Sequence, residues 1–533
     1  MTPMPKVPPM TADDGARARA DSWDRIGADA LADGTGRIAE LAGVATALVR
    51  NLGSHVQALV EDVTDDSLEV AREAEALFEL ARDQVDGARE LVRAAPRVAR
   101  VVGEGVAIAA RYRIQGALGG ARAGLAGEAP SSLERLHRRS ARRVRRLCTE
   151  LRGGVLKLGQ FASTRMDLLP EAWVAELSKL QDRVPPLPAW AVTRRLDEAW
   201  GPTWGPDADA RLSSFEPEPL AAASLAQVHG ATLADGTPVA LKLLVPGIED
   251  VVDADLAALR VLLPAIRDLV PQVDLETLGA ELARAVRREL DLEAEAEAAE
   301  AMGRAFAGDP DVIVPRVHHE ACGRGVLVLE RIEGERLLDF LDGCRARGEA
   351  GARDRDRIFE ILIRSLCEQI LVHGLFQGDP HPGNFLVVPG TDGPRLALLD
   401  FGCVERYDAT LQRQYARLAT AILARDEVRM AALFAEMGFR SRDEDPSALR
   451  SYAEMFMEAF REEGGGALAF DHRAHIERVV ELTRANPIAE VPPHFVLLGR
   501  VFATVGGLLL HYRPQIRLAG VLRPSLATAL RTG

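Results

Sequence analysis

The sequence predicts an α+β protein with two lobes, and three observations lead to this fold class. First, residues 211–335 contain short apolar stretches, two of which flank Asp235-Gly236, a dipeptide typical of tight hairpin turns. Second, another hairpin is predicted over residues 385–399, around a turn rich in proline and glycine. Third, apolar residues after about Thr410 predict helices to the end of the chain. Strands followed by helices, with a hairpin between them, predict two lobes around a cleft.

The composition predicts a globular chain of three or four domains. Apolar residues make up 47% of the 533 positions, which is enough for a sizeable core. Acidic residues outnumber basic ones by 79 to 65, and the formal charge of −14 argues against nucleic acid as a partner. The five cysteines lie far apart without a CxxC pair, so neither a disulfide framework nor a structural zinc site is predicted. A reducing cytoplasm is the expected location.

No targeting or membrane-spanning segment is expected. The chain reaches Asp13 and Asp14 without the apolar stretch of a secretory signal. The most apolar segment, residues 495–512, is interrupted by Arg500 and predicts a buried helix.

Amphipathic helices are predicted for residues 21–113, where apolar side chains recur at helical spacing. A glycine-rich tract up to Pro130 predicts a linker, and Ser131 and Glu134 are placed as a capping box at the start of the next helix. Six arginines fall on one broad face of that helix: Arg135, Arg138, Arg139, Arg142, Arg143 and Arg146. A solvated face is the favoured interpretation, and a contact with an anionic membrane or with phosphate is the alternative.

The most informative pattern combines Asp379 and Asn384, five residues apart, with Asp400 in an Asp-Phe-Gly tripeptide after the second hairpin. This is the layout of a catalytic loop and a metal-binding loop in phosphotransferases. Phosphoryl transfer needs a divalent metal that bridges the phosphates, so hard oxygen ligands are required from two loops. Asn384 and Asp400 are the predicted ligands of Mg²⁺. Asp379 is placed to orient the attacking oxygen or to accept its proton.

Lysine is scarce in this chain, so the positions of its lysines carry information. Only four of the 65 basic residues are lysines, and a lysine in an ordered segment marks a place where a compact ammonium is favoured over a guanidinium. Lys242 shares a strand face with Ala240, which leaves room for a purine ring while the ammonium reaches the phosphates. Its carboxylate partner is expected on the following helix, where Glu289 and Glu295 are both candidates.

Two further segments are predicted to contact a nucleotide. Glu330 ends a short apolar strand where a connection between the lobes is expected, and its backbone is predicted to meet an adenine edge. No glycine-rich loop precedes the Lys242 strand. Because alanine adopts left-handed backbone poorly, a stiffer phosphate loop is expected there. That loop consists of Ala221, Ala222, Ala223 and Ser224. Four histidines lack metal-ligand spacing and are predicted to be surface or turn residues: His229, His318, His319 and His381.

Together, these residues make the sequence similar to the UbiB/AarF family of atypical kinases, which includes the mitochondrial coenzyme Q kinases. The resemblance covers roughly residues 151–406. It rests on the two catalytic loops, the alanine segment, the Lys242 strand and the motif Lys157-Leu158-Gly159-Gln160. One departure is Phe376-Gln377-Gly378 before Asp379, where many bacterial relatives carry His-Ala or a similar pair.

This resemblance implies a bilobal protein-kinase-like fold with a family-specific helical extension and an extra N-terminal helical region. Four parts are expected: an amphipathic helical region with a Gly-rich linker (1–129), the helical extension (130–210), a kinase-like N-lobe (211–335) and a kinase-like C-lobe (336–533). The resemblance assigns Lys157 and Gln160 to a lid over the cleft. The nucleotide loop would be residues 221–224, the phosphate anchor Lys242, and the catalytic and metal set Asp379, Asn384 and Asp400.

The activity implied by the resemblance is that of an ATP- and Mg²⁺-dependent atypical kinase or ATPase linked to ubiquinone or other isoprenoid-lipid metabolism. The expected partners are a nucleotide, an isoprenoid lipid or quinone precursor, and the inner face of the membrane as a peripheral contact. Two alternatives stay open. One is a small-molecule phosphotransferase of the antibiotic-kinase kind, against which the Lys157 motif argues. The other is a nucleotide-binding scaffold without turnover, against which the retained metal and anchor residues argue.

Overall fold

The fold comes from a computed structural model of the chain. The structure describes residues 88–123, 130–163, 169–181, 186–205, 211–266, 275–441, 449–451, 453, 462–463, 467–468, 488–490 and 492–532. The amphipathic pattern predicted between residues 21 and 87 therefore lies outside the described residues.

Helices account for most of the described chain. In chain order they are α1 (Ala88–Ala123), α2 (Pro130–Leu151), α3 (Gly153–Ser163), α4 (Glu171–Leu177), α5 (Ala189–Trp200), α6 (Ile248–Ile266), α7 (Leu275–Arg288), α8 (Leu292–Ala305), α9 (Leu337–Ala346), α10 (Gly348–Glu368), α11 (Ala409–Ala424), α12 (Glu427–Glu436), α13 (Pro493–Tyr512) and α14 (Leu518–Thr532). Short 3-10 turns cover Ser178–Gln181, His319–Ala321 and Pro382–Asn384, and a π-helical turn covers Gln369–His373.

The strands are short except for the first three. They are β1 (Leu212–Ala222), β2 (Ala226–Leu233), β3 (Pro238–Leu244), β4 (Val312–Ile313), β5 (Val326–Glu330), β6 (Glu335–Arg336), β7 (Leu375–Gln377), β8 (Phe385–Val388), β9 (Arg395–Leu398), β10 (Val404–Arg406), β11 (Arg440–Ser441), β12 (Glu462–Glu463), β13 (Ala467–Leu468) and β14 (Ile488–Glu490).

The chain divides into two compact units. The described residues of Met1–Arg195, Pro219–Val228 and Leu243–Leu290 belong to the first unit. Those of Leu196–Glu218, His229–Lys242 and Asp291–Gly533 belong to the second.

The first unit is built mainly from helices. Helix α1 packs against α6, α2 packs against α4, and α3 packs against α6 and α7. Its apolar core consists of Val101, Leu147, Cys148, Leu151, Val155, Leu156, Leu177, Leu180 and Ala258.

A buried ion pair joins four elements of the first unit. The Arg97 guanidinium donates to both carboxylate oxygens of Asp255, at 2.6 and 2.8 Å, and to the backbone oxygens of Leu151 and Arg152, both at 2.7 Å. The Val155 N–H donates to Asp255 at 2.8 Å. Burial raises the pKa of Asp255, and the hydrogen bonds and positive charge of Arg97 oppose that shift. The pair thus holds the end of α2 and the start of α3 against α1 and α6.

Helix α1 is longer than the sequence indicated. It continues through Gly116, Gly119 and Gly120 to Ala123, where the glycine-rich tract predicted a linker. Each glycine lowers helix stability by about 1 kcal/mol relative to alanine, and tertiary packing routinely overrides a propensity of that size. Helix α1 as a whole packs against α6.

The second unit carries most of a four-stranded sheet with the order β1-β2-β3-β5. β2 and β3 are joined by the turn that contains Gly236, whose φ of 89° is a left-handed conformation that glycine adopts readily. The Leu233 N–H donates to the Thr237 carbonyl at 2.9 Å and closes this turn. The first predicted hairpin is therefore confirmed.

A second sheet in this unit has the order β4-β9-β8-β6. β8 and β9 pair antiparallel, with Phe385 opposite Leu398 and Val388 opposite Arg395, so the second predicted hairpin is confirmed as well. Separately, β7 pairs antiparallel with β10, with Gln377 opposite Val404. Since one strand precedes the predicted catalytic loop and the other follows the predicted metal-binding loop, this pairing brings the two loops together.

The sequence predicted only helices after about Thr410. The structure also has short strands in this part of the chain. β11 pairs with β14, and β12 pairs with β13. Strands of two or three residues are too short to produce a readable alternation, which explains why the sequence pattern missed them. Helix α13 confirms the predicted buried helix, since Phe495, Leu498, Val501 and Val505 are buried at helical spacing. Across the described ranges, no helix has both the length and the apolarity that crossing a membrane requires.

Candidate active site

The catalytic loop is fixed by hydrogen bonds within itself. The Asn384 N–H donates to the His381 carbonyl at 2.8 Å, and the side-chain Nδ2 of Asn384 donates to the Asp379 carbonyl at 3.0 Å. The Asn384 carbonyl accepts from the Leu399 N–H at 3.0 Å, which ties the loop to the end of β9. Asp379 and Asn384 are therefore held in a closed turn, both half-buried. The bond through Nδ2 leaves Oδ1 as the Asn384 atom that can bind a cation.

Asp400 follows β9 directly and is anchored through its neighbours. Phe401 is almost fully buried, and the Gly402 N–H donates to Asp400 Oδ1 at 3.0 Å. The carboxylate of Asp400 stays 41% exposed, so it remains accessible to a ligand. This turn explains the Asp-Phe-Gly tripeptide: the aromatic ring fixes the loop, and the acid beside it faces outward.

Lys242 pairs with Glu295 in the second unit. Its ammonium lies 2.5 and 2.7 Å from the two carboxylate oxygens of Glu295 and 3.6 Å from Asp400 Oδ1. Glu295 lies in the first turn of α8, which is capped by the Asp291 side chain, and is only 2% exposed. The sequence left Glu289 and Glu295 open as partners of Lys242, and the structure gives Glu295.

The charge state of Glu295 depends on its surroundings. Burial raises the pKa of Glu295 to about 7; the Lys242 ammonium opposes this shift, and the nearby Asp400 carboxylate adds to it. The cluster thus combines one ammonium with two carboxylates of which one is fully desolvated. Such a cluster favours an additional cation or a change of protonation.

Lys157 has a different carboxylate partner. In the first unit its ammonium forms an ion pair with Glu289. The two lysines that the sequence singled out therefore bind separate acids, Glu295 for Lys242 and Glu289 for Lys157.

The rest of the Lys157 motif packs within the first unit. The Gln160 side chain donates to the Leu180 carbonyl at 2.9 Å, at the end of the 3-10 turn after α4. A Cβ atom at Gly159 would lie 2.8 Å from both Cys148 Sγ and Leu180 Cδ1, so glycine allows α3 to approach its neighbours closely. These contacts give the motif a structural role, and the role of Lys157 and Gln160 as lid residues remains a prediction.

The alanine segment forms the turn between β1 and β2. Ala221 and Ala222 end β1, and the Ala223 N–H donates to the Ala226 carbonyl at 2.8 Å. Ser224 is buried. Among the described residues only three non-glycine residues have positive φ, and none lies in this segment. Alanine therefore meets no strain here, and its contact with nucleotide stays a prediction.

Ala240 and Glu330 lie on neighbouring strands, β3 and β5. Ala240 and Lys242 are half-buried, whereas Val239 and Leu241 are fully buried. This alternation confirms that Ala240 and Lys242 share a face of the strand. The Glu330 N–H donates to the Arg316 carbonyl at 2.8 Å. A contact of Glu330 with an adenine edge would therefore have to use its backbone carbonyl.

Two buried glutamines near the site were missed by the sequence reasoning. The Gln377 side chain donates to the Asp400 carbonyl at 2.7 Å, and the Gln377 N–H donates to Gln369 Oε1 at 3.0 Å. Both side chains are 0–1% exposed. In the described part of the chain, Gln377 Oε1 and Gln369 Nε2 have no hydrogen-bond partner. The available signal was a polar amide inside the apolar run that precedes Asp379.

One histidine prediction is wrong. His229 is buried within β2 and is neither a surface nor a turn residue. His318 is also buried, but it lies at the start of the 3-10 turn His319–Ala321, so it is a turn residue as predicted. The His229 ring stacks on Phe215 at 5.0 Å, and its Nδ1 lies 2.9 Å from the Glu216 carbonyl. Burial lowers the pKa of His229, so the neutral ring packs as a flat apolar group with one satisfied polar atom.

Asn384 and Asp400 fit a magnesium ion by their chemistry. Amide and carboxylate oxygens are hard ligands, and Mg²⁺ in phosphotransferases is held by one or two such groups together with phosphate oxygens and water. No cluster of three His, Cys, Asp or Glu side chains with metal-binding geometry occurs among the described residues. By their chemistry, the two predicted ligands suit a cation that also binds phosphate oxygens and water.

The fold and these loops define a kinase-like phosphotransferase. The ABC1 atypical kinase-like domain matches residues 179–434. A probable protein kinase UbiB from Marinobacter nauticus is 30% identical over 400 residues, which cover 73% of this chain and 70% of that protein. The chain belongs to the ABC1/UbiB family of atypical kinases, as its motifs predicted.

Two other similarities extend the comparison. The chloroplastic protein ACTIVITY OF BC1 COMPLEX KINASE 3 of Arabidopsis thaliana is 32% identical over 427 residues, covering 79% of this chain and 57% of that protein. Among solved structures, the complex of Rv3197 with erythromycin from Mycobacterium tuberculosis matches with a TM-score of 0.50 and 26% identity. That match covers 70% of this chain and 92% of the other. It supports the kinase-like fold.

Proposed function

We propose that this protein binds ATP with Mg²⁺ and acts as an atypical kinase or ATPase. The observation that carries the proposal is the cluster in which the Lys242 ammonium lies between Glu295 and, at 3.6 Å, Asp400. This arrangement matches the paired lysine and glutamate and the metal-binding aspartate that kinases use to hold nucleotide phosphates. Membership in an atypical kinase family supports the same activity.

Each residue has a chemical task in this proposal. Lys242 binds phosphate oxygens through its ammonium, and Glu295 orients that ammonium. Asn384 Oδ1 and the Asp400 carboxylate hold Mg²⁺, which neutralises phosphate charge when bound. Asp379 accepts a proton at its carboxylate from the attacking hydroxyl or water. The nucleotide contacts expected of residues 221–224, Ala240 and Glu330 belong to the same proposal, as do the lid residues Lys157 and Gln160.

The proposed biological setting is ubiquinone or other isoprenoid-lipid metabolism, at the inner face of a membrane. Its support is the likeness to proteins named UbiB and the resemblance of the motifs to coenzyme Q kinases. A quinone precursor or isoprenoid lipid is the proposed second ligand.

The first experiment separates nucleotide binding from turnover. Thermal-shift titrations with ATP and ADP, with and without Mg²⁺, are followed by a phosphate-release assay on wild type, Asp400→Asn and Asp392→Asn. Asp392 lies in the exposed β8–β9 turn and serves as a matched control. We expect Asp400→Asn to abolish Mg²⁺-dependent release and Asp392→Asn to retain it. Equal release by wild type and Asp400→Asn would refute the proposal, and binding without release by wild type would favour a scaffold.

A small-molecule phosphotransferase is the second candidate. One solved structure with a similar fold is the complex of Rv3197 with erythromycin. Macrolides are therefore a reasonable first set of acceptors to test. The test is mass spectrometry of a macrolide incubated with the protein, ATP and Mg²⁺. An added phosphate would support this candidate, whereas nucleotide hydrolysis with unmodified macrolide would favour the ATPase.

A further inference from the structure

An arginine-lined cavity lies in the first unit, between α1 and α2. Its volume is about 440 Å³. One arginine of α1 and four of α2 line it together with Ser140: Arg111, Arg139, Arg142, Arg143 and Arg146. The four arginines of α2 follow the spacing i, i+3, i+4, i+7, which places them on one helix face. Arg111 of α1 joins this subset of the predicted arginine face around an open space, and Arg139, Arg142 and Arg146 are exposed.

The acids near the cavity neutralise only part of this charge. Arg143 forms a bidentate ion pair with Glu104 of α1, in which its Nη2 and Nε atoms lie 2.8 and 2.9 Å from the two carboxylate oxygens. Arg142 lies 3.9 Å from Glu176, but that carboxylate is closer to Arg145, at 3.0 Å. Glu176 therefore contributes little to the charge balance at the cavity.

Three of the lining guanidiniums lack an acid of their own. In the described part of the chain, Arg111, Arg139 and Arg146 form no hydrogen bond or salt bridge, although Arg111 also lies within the field of Glu104. Burial and the like charge of Arg143 lower the pKa of Arg111. Like charges around a shared space repel one another, and an anion placed there relieves that repulsion.

A hydroxyl also lies in the cavity lining. Ser140 is 1% exposed, and its side chain interacts with the Tyr112 hydroxyl of α1. The attraction for an anion therefore comes from the arginines.

We propose that this cavity binds the phosphate group of a ligand. Guanidinium forks match phosphate oxygens in paired hydrogen bonds, and several arginines around one space suit the several oxygens of a phosphate group better than a single carboxylate. The proposal is independent of the nucleotide site, because every lining residue belongs to the first unit and Lys242 to the second. The phosphate can belong to a soluble compound or to a lipid headgroup.

The test uses the full chain and two matched double variants. Arg139→Gln with Arg146→Gln removes two cavity charges, and Arg135→Gln with Arg138→Gln removes two charges from the same helix without touching the cavity lining. Circular dichroism and Tm establish that both variants fold. The first probe is inorganic phosphate, and its binding to each protein is measured by isothermal titration calorimetry. The second is co-sedimentation with vesicles of phosphatidylcholine, with or without added phosphatidylglycerol.

We expect the cavity variant to lose a phosphate-binding event, or to bind phosphate about tenfold or more weakly, while the control resembles wild type. The cavity variant, but not the control, could instead lose binding to the phosphatidylglycerol vesicles while no protein binds inorganic phosphate. That result would support the proposal and identify a lipid headgroup as the source of the phosphate. The proposal is overturned if the two variants behave alike with both probes. Because both variants keep Lys242, this result does not depend on whether the nucleotide site is active.

Discussion

The side-chain amide of Gln377 donates a 2.7 Å hydrogen bond to the backbone carbonyl of Asp400. This bond joins the strand before the catalytic loop to the residue that is proposed to hold the metal. Gln369 fixes Gln377 in turn, through the bond from the Gln377 N–H to Gln369 Oε1. The position of the Asp400 carboxylate therefore depends on two amides that never meet solvent.

Gln377→Leu should impair turnover more than stability. Leucine removes the donor to the Asp400 carbonyl but also removes the unpartnered Oε1, so we expect the free energy of unfolding to change by about 1 kcal/mol. Phosphate release should fall about tenfold, with a higher Mg²⁺ concentration needed for half-maximal rate, because the Asp400 loop is less well held. The measurement is phosphate release across a Mg²⁺ titration.

Two further variants complete the Gln377 experiment. Gln377→His should retain most activity, because an imidazole N–H can donate to the same carbonyl. Gln515→Leu, at an exposed position, is the matched control and should be unchanged. Full activity in Gln377→Leu would show that this hydrogen bond does not position Asp400.

Glu295 should make stability depend on pH. Its pKa is raised from 4.5 to about 7, so in that window the folded chain keeps a proton which the unfolded chain has lost. Wild type should therefore lose stability relative to Glu295→Gln as the pH rises, by about 2 kcal/mol between about pH 5 and pH 8. Urea unfolding of both proteins across this range measures the difference. A constant difference would mean that Lys242 keeps Glu295 ionised throughout.

Gly159→Ala should destabilise the first unit. The added Cβ would lie 2.8 Å from Cys148 Sγ and Leu180 Cδ1, so neighbouring side chains must move. We expect a loss of about 1–3 kcal/mol, in spite of the better helix propensity of alanine. Gly499→Ala in α13 is the matched control, because nothing lies within 4 Å of its new Cβ. A control that loses as much stability as Gly159→Ala would remove the packing explanation.

Arg97→Ala should also destabilise the first unit. Removing the guanidinium leaves the fully buried Asp255 carboxylate without its charge partner, at a cost of about 3–5 kcal/mol. Arg100, on the same helix as Arg97, forms an exposed ion pair with Glu150 of α2, so Arg100→Ala should cost about 1 kcal/mol or less. Differential scanning calorimetry of the three proteins gives the comparison. Similar Tm values for the two variants would indicate that Asp255 finds another donor or becomes protonated.

Much of the fold could be predicted from local sequence patterns. The Asp235-Gly236 hairpin and the β8–β9 hairpin are confirmed, because turn residues and flanking strands lie next to each other in the chain. The helix at residues 495–512 is confirmed by its apolar spacing. The helical continuation of α1 through Gly116 was not predicted, because glycine has a low helix propensity. The short strands near the C-terminus were not predicted, because they are too short to show an alternating pattern.

The candidate site shows the same division. The spacing of Asp379, Asn384 and Asp400 predicted two loops, and the structure brings these loops together through the pairing of β7 with β10. The partner of Lys242 could not be chosen from the sequence, since Glu289 and Glu295 lie in one acidic run and only the cap at Asp291 sets where α8 begins. The burial of His229 and of the two glutamines depends on tertiary contacts that no local pattern encodes.

A carboxamide, unlike an imidazole, neither gains nor loses a proton in the physiological range. Because Gln377 is the side chain that supports Asp400, the hydrogen bond between them does not depend on pH in that range. Sensitivity to protons is then concentrated in Glu295, on the other side of the lysine. The substitution Gln377→His would place a second titratable group next to Asp400.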